Sequence, residues 1–154
     1  MAVKALTTKY EELVLEVEFV PGSGTYSAIC GLTDLTINDT SNVDTSEIPY
    51  CDDESLPLSI ERQVRSQEYT LSGSGSVALQ SFPKMRDWKA SGSTRNIRVR
   101  DVNIQTNGSA GDRYGDSGPA LLTTLTRTRT KGKKVDISVE IQFDGYPDAL
   151  TVSA

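Results

Sequence analysis

The sequence predicts a mainly β protein: an antiparallel sandwich- or barrel-like subunit with one short flanking helix and one long extended loop. Three observations carry that reading. Apolar and polar residues alternate with a period of two over 13–20 and 135–143, the spacing that sends successive side chains to opposite faces of a strand. Runs rich in glycine, proline, asparagine and serine punctuate the segments. Only the stretch 82–90 spaces its apolar residues as a helix does.

Taken in order, Leu13 to Val20 places Leu15, Val17 and Phe19 on one face and Glu16 and Glu18 on the other. Pro21-Gly22-Ser23-Gly24 turns the chain. Tyr26–Leu32 and Asp34–Ile37 read as further strands, or as one strand bent at Gly31, completing a first antiparallel pair. From Asn38 to about Arg65 the pattern changes. Asn38-Asp39-Thr40-Ser41-Asn42 is turn-rich, Pro49 and Pro57 interrupt pairing, and Cys51-Asp52-Asp53-Glu54-Ser55 is acidic. The segment reads as a long loop with too few apolar residues to pack on its own domain, and loops of that length function or order against a partner.

Order returns with Glu68–Leu71, the Ser72–Ser76 glycine-serine run and Val77–Leu79. The helix predicted over Phe82–Ala90 has Pro83 in its first turn, Met85 and Trp88 on one face and a stop at Gly92. Ile97 opens a strand that runs to about Ile104, and a glycine-rich turn region follows, through Gly115 to Ala120. Leu121–Thr130 and Val135–Phe143, joined by Lys131-Gly132-Lys133-Lys134, form a long hairpin. Its second strand turns Val135, Ile137, Val139, Ile141 and Phe143 to the core and Asp136, Ser138, Glu140 and Gln142 away from it.

Composition excludes several functions. At 154 residues, 1–154 reads as a single domain. A net charge of −5 argues against a phosphate-neutralising nucleic-acid binder. No run has the apolar length of a signal peptide or a membrane span, so Cys30 and Cys51 read as reduced thiols in a protein made in a cytoplasm, the alternative being a bond that links them. Gly115-Asp116-Ser117-Gly118-Pro119 matches the segment that carries the nucleophile in trypsin-like serine proteases. The chain contains no histidine, so Ser117 lacks the imidazole base of that triad and the match reads as turn chemistry. Gly73-Ser74-Gly75-Ser76-Val77-Ala78 fits a loose dinucleotide fingerprint, but no helix opens directly after it, and it reads as a glycine-rich bend. Asp52, Asp53 and Glu54 lack the ligand spacing of a calcium loop. Arg95, Arg98 and Arg100 form a small basic patch expected to pair with acids of another surface. No catalytic residue, metal or cofactor is predicted, and the chain is read as no enzyme.

The order of features carries a resemblance over nearly the whole chain. It consists of an N-terminal strand hairpin with Thr33-Asp34-Leu35-Thr36-Ile37, a long loop with Val43-Asp44-Thr45-Ser46, then Tyr69-Thr70-Leu71-Ser72-Gly73-Ser74-Gly75, a short helix, a returning strand and a closing hairpin. In this order the chain resembles the tail tube proteins (major tail proteins) of long-tailed bacteriophages and gene transfer agents. The resemblance implies a subunit that assembles as hexameric rings, stacked into a hollow tube. Each subunit gives strands to an inner barrel through which the genome passes without specific binding. Segment 38–65 is then an inter-ring loop, with Val43, Asp44, Thr45, Arg62 and Arg65 as stacking candidates. Asp136, Ser138, Glu140 and Gln142 are lumen candidates, since an acidic and polar wall repels phosphate. Arg127 and Arg129, which would hold DNA if they faced the lumen, are expected to face the tube's rim or a neighbouring subunit, where they are candidates for ion pairs. The implied setting is the virion tail, assembled in the host cytoplasm, with other tail proteins at the tube ends and no membrane. The alternative is a β-sandwich tail adaptor or terminator, or a subunit of a secreted tube-like carrier.

Overall fold

The computed structural model describes residues 2–5, 7–29 and 31–153. The strands are β1 (Leu13–Val17), β2 (Ser27–Ala28), β3 (Leu32–Ile48), β4 (Ser59–Ser76), β5 (Arg95–Asp101), β6 (Arg113–Thr128), β7 (Asp136–Phe143) and β8 (Asp148–Thr151). Two helices interrupt them, α1 (Phe82–Ser91) and α2 (Val102–Asn107), and one turn of 3-10 helix precedes β1. Among the described residues all eight strands share one antiparallel sheet in the order β2-β1-β5-β6-β7-β4-β3, with β8 beside β6; the sheet is not closed and ends on β2 and β3.

The expected closing hairpin is present. β7 alternates as its sequence demands, with Ile137, Val139 and Ile141 buried and Asp136, Ser138, Glu140 and Gln142 exposed. Its buried residues join Leu71 of β4, Leu122 of β6, Ile97 and Val99 of β5 and Leu15 and Val17 of β1 in one core. Helix α1 covers this core along β6, with Met85 and Trp88 each 1% exposed. Pro83 sits in its first turn, where no N–H is missed, and Gly92 ends it at φ 65°, a left-handed angle that glycine adopts without strain.

Several expectations change. Residues 38–65 form most of β3 and β4, a two-stranded antiparallel arm, and not a loop. Pro49 and Pro57 fall in the connection between the strands, so neither removes a ladder hydrogen bond. The polar segments satisfy their backbone by pairing with each other, through one irregularity where Asn42 faces Ser66, Val43 faces Val64 and Arg65 is left over. β1 pairs with the two-residue β2, whereas the strand after Gly31 pairs with β4.

The strand from Ile97 stops at Asp101 because the Asp101 carboxylate accepts from the backbone N–H of Asn103 (2.9 Å) and Ile104 (3.2 Å), capping a second helix, α2. The protease-like pentapeptide is not a turn but part of β6. Its Pro119 lies where the partner of β6 changes from β8 to β7, so its missing N–H leaves both ladders intact. The dinucleotide-like glycines sit in β4. A Cβ on Gly75 would stand 1.9 Å from the Gly31 carbonyl oxygen, so this glycine serves the close approach of two backbones.

Candidate functional site

The side of β7 turned away from the core belongs to a polar face four strands wide. Residues directly opposite in an antiparallel pair share a face. Thr36 of β3, Ser72 of β4, Glu140 of β7 and Thr124 of β6 therefore form one row, and Asp34, Ser74, Ser138 and Thr126 the next. A further row holds Asn38, Thr70, Gln142 and Leu121, and Ser76, Asp136 and Thr128 complete the face. These rows contain hydroxyls, amides, three carboxylates and one leucine, and no lysine or arginine. The groups also bond within the face: Gln142 Nε2 donates to Glu140 Oε1 at 3.2 Å, and Thr123 Oγ1 donates to the Glu140 carbonyl at 3.1 Å. Such a wall offers phosphate no cation to hold it.

Among the described residues no third strand accompanies β3 and β4 beyond Thr70 and Gln142. The ten β3 residues from Asp39 to Ile48 therefore project with β4 as a free arm of roughly 30 Å, at about 3.3 Å per residue. The polar face continues along it as Thr40 and Glu68, Asn42 and Ser66, Asp44 and Gln63, and Ser46 and Glu61. The opposite face carries Val43 beside Val64, Thr45 beside Arg62, and Glu47 beside Ile60. Val43, Ile60 and Val64 are 49%, 52% and 52% exposed, an apolar row left half open among the described residues. Of the candidate stacking residues, Val43, Thr45 and Arg62 share this face, Asp44 lies on the polar one, and Arg65 is the bulge residue, 3.9 Å from Asp44.

The root of the arm is fixed by a cluster that no sequence signal announced. Tyr69 O–H donates to Asp116 Oδ2 at 2.7 Å, and the Arg113 guanidinium bonds the other oxygen of Asp116. Tyr146 O–H donates to Asp39 Oδ2, also at 2.7 Å, and Arg113 lies 5.9 Å from the Tyr146 ring centroid. Tyr69 meets Phe143 edge to face at 4.9 Å and Tyr146 at 6.3 Å. Burial, and then the hydrogen bond to Asp116, push the Tyr69 hydroxyl well above the usual phenol range, so it stays a donor. The cluster joins β3, β4 and β6 to the turn before β8. Tyr69→Phe removes one donor while leaving Asp116 its arginine. The expected loss is about 1–2 kcal/mol in a urea titration followed by circular dichroism, with unchanged strand content.

Two members of the basic patch, Arg98 and Arg100, pair with an acid of their own chain. Glu16 is only 7% exposed, and its carboxylate takes hydrogen bonds from Arg98 Nη2 (2.9 Å) and Arg100 Nε (2.5 Å). Burial raises its pKa, but the two guanidiniums more than offset this and hold it below the ordinary glutamate value. Its contribution to stability is therefore present above the unfolded-state pKa and lost as pH falls through the folded one. Glu18 is buried as well and accepts from the backbone N–H of Gly22 (3.0 Å) and Gly24 (3.2 Å), shaping the turn after β1. Arg95 donates from Nε to the Phe19 carbonyl.

Arg127 stands opposite Ile137, so it points away from the acidic face, and its guanidinium lies 4.5 Å from the Phe82 ring centroid. Arg129 and Lys131, Lys133 and Lys134 are exposed around the β6–β7 turn. Ser117 lies within β6 opposite Arg98 and Asp148. Asp52, Asp53, Glu54 and Cys51 are exposed at the arm tip, and Cys30 lies outside the described residues. Among the described residues no group of three or more acids and cysteines is arranged to hold a metal, and no helix is long and apolar enough to cross a membrane.

A family model described as phage tail tube protein matches residues 7–149. Among solved structures, the tail of an empty gene transfer agent particle, computed with helical refinement in C6 symmetry, matches with a TM-score of 0.71 at 14% identity. It covers 94% of this chain and 99% of that one. The virion of a native gene transfer agent particle gives 0.67 at 13% identity, over 94% and 99% of the two chains. The SPP1 tail tube, a hybrid structure from solid-state NMR and cryo-electron microscopy, gives 0.65 at 10% identity, over 96% and 80%. These are likenesses of fold. No curated protein sequence matches the chain.

Proposed function

The chain belongs to the phage tail tube protein family, and from that premise we propose that it is a structural virion protein whose copies form hexameric rings, stacked into the hollow tube through which the genome passes. The observation that carries this reading is the polar face of β3, β4, β7 and β6, free of basic residues, in a sheet that ends on unpaired strands. Lateral association of six such sheets closes the edges that a lone subunit leaves open, and turns Asp136, Ser138, Glu140 and Gln142 into a lumen wall. Six copies per ring follow the C6 symmetry of the similar gene transfer agent tail. DNA then slides along hydroxyls and carboxylates with no site to bind.

The projecting arm supplies the axial contact. Its apolar row of Val43, Ile60 and Val64, with Thr45 and Arg62 between them and Asp44 and Arg65 alongside, is covered when a second ring stacks. Arg127, turned away from the polar face, and Arg129, exposed beside the β6–β7 turn, are placed to meet acids of a neighbouring subunit. The subunit is a single tail-tube domain with a stacking arm and works as scaffold, not catalyst. It resides in the virion tail after assembly in the host cytoplasm, with other tail proteins at the tube ends.

Negative-stain electron microscopy of untagged protein across a concentration series tests the reading. Hollow tubes of stacked rings that lengthen with concentration are expected, because a head-to-tail contact that does not close gives open filaments. A monomer or a single closed ring at every concentration would move the protein to the adaptor or terminator class.

A further inference from the structure

The two ends of the subunit carry opposite charge. Residues 44–61, the outer arm and its tip, hold the acids Asp44, Glu47, Asp52, Asp53, Glu54 and Glu61 and no base. Residues 127–134, around the β6–β7 turn, hold Arg127, Arg129, Lys131, Lys133 and Lys134 and no acid. In a chain of net charge −5 this is strong segregation. The sheet keeps the two ends apart. The basic turn leads into Asp136, which pairs with Ser76, whereas the outer arm ends where Ile48 pairs with Ser59. The eighteen residues of β4, Ser59 to Ser76, separate them by roughly 55 Å. The acids and bases cannot meet in one molecule. Among the described residues the outer arm makes a single salt bridge, Asp44 to Arg65, and the lysines of the turn make none.

We propose that the acidic arm end docks on the basic β6–β7 turn of a copy in the next ring, so that rings join head to tail by charge. The inference rests on the tube reading and names the surface that receives the arm. Such a contact is heterologous: each ring offers acid at one end and base at the other, which propagates without closing. Opposite charge steers the approach and rejects the inverted docking, where acid would face acid or base face base. The exposed row of Val43, Ile60 and Val64 lies beside the acids, so the same docking removes it from water. The pairs are surface ion pairs, individually weak, but every subunit of a ring engages at once and the effects multiply.

Charge reversal tests this. D52K/D53K/E54K and K131E/K133E/K134E place the opposite sign at each end, at exposed positions of turns, and a third protein carries both sets. Circular dichroism checks folding, and a set that fails to fold is replaced by its neutral counterpart, Asp→Asn, Glu→Gln or Lys→Gln. Each single set is expected to raise the protein concentration needed for tube growth by at least roughly tenfold at low salt. The doubly reversed chain is expected to return to within a few-fold of wild type, because its ends are again complementary. Single sets that polymerise like wild type would overturn this contact while leaving the tube reading intact. A wild-type chain that makes no tubes would sink the tube reading and the contact with it.

Discussion

Trp88→Ala is expected to lower the folding free energy by about 3–5 kcal/mol, the range for deleting a large buried aromatic side chain. Helix α1 is ten residues long, too short to hold without tertiary contacts, and its buried residues are Met85 and Trp88. The indole also donates from Nε1 to the Ser93 carbonyl at 3.1 Å, tying the end of the helix to the strand that follows. Alanine leaves a cavity where α1 meets the sheet and an unmet carbonyl beside it. Against a total stability of about 5–15 kcal/mol, this loss removes a large share. A guanidinium titration and thermal melt measure it, with a fall of about 6–20 °C expected at this chain length. A change below about 1 kcal/mol would show that α1 is held mainly by something other than its tryptophan.

How much of this was legible in the sequence depends on where each element finds its partner. The β7 strand advertises itself because Ile137, Val139 and Ile141 bury on one side while Asp136, Ser138 and Glu140 meet water on the other, so its pattern records its environment. Helix α1 advertises itself through Pro83, its two core residues and Gly92. The arm is bare on both faces, so its strands carry no alternation to read, and polar residues with two flanking prolines look like a loop. What makes it a hairpin is pairing between segments far apart in sequence, Asn38 with Thr70 at the root and Ile48 with Ser59 at the end. The candidate lumen residues were visible as the solvent side of β7. The rows they share with Thr36, Ser72 and Thr124 follow from strand register, which a single strand does not encode. The Tyr69–Asp116 and Tyr146–Asp39 clamps were invisible for the same reason, since their partners are 47 and 107 residues apart. Asp101 is the exception: a capping aspartate before Val102-Asn103-Ile104 was a readable helix start, hidden by the strand pattern that runs into it.

Asp136→Lys with Glu140→Lys tests the acidic face itself, and its effect is expected in transport and not in assembly. Both side chains are exposed, and among the described residues the Glu140 carboxylate takes a hydrogen bond only from Gln142, so the double variant gives up little folding energy and should build tubes of normal width. On the proposed tube reading, what changes is the field inside the tube. Each subunit gains about four units of positive charge, repeated around every ring and along the whole lumen. A polyanion moving through the lumen then meets cations at every step, releases counterions on contact and binds. Purified variant tubes are expected to retain double-stranded DNA with an affinity that falls steeply as salt rises, where wild-type tubes retain none. Particles carrying them should deliver DNA at least roughly a hundredfold less well, because a drop in release rate of that size needs only about 2.7 kcal/mol of added binding spread over many contacts. If the double variant assembles, leaves DNA unbound and delivers it normally, the face of Asp136 and Glu140 lies outside the conduit. The lumen would then have to be sought on another surface of the sheet.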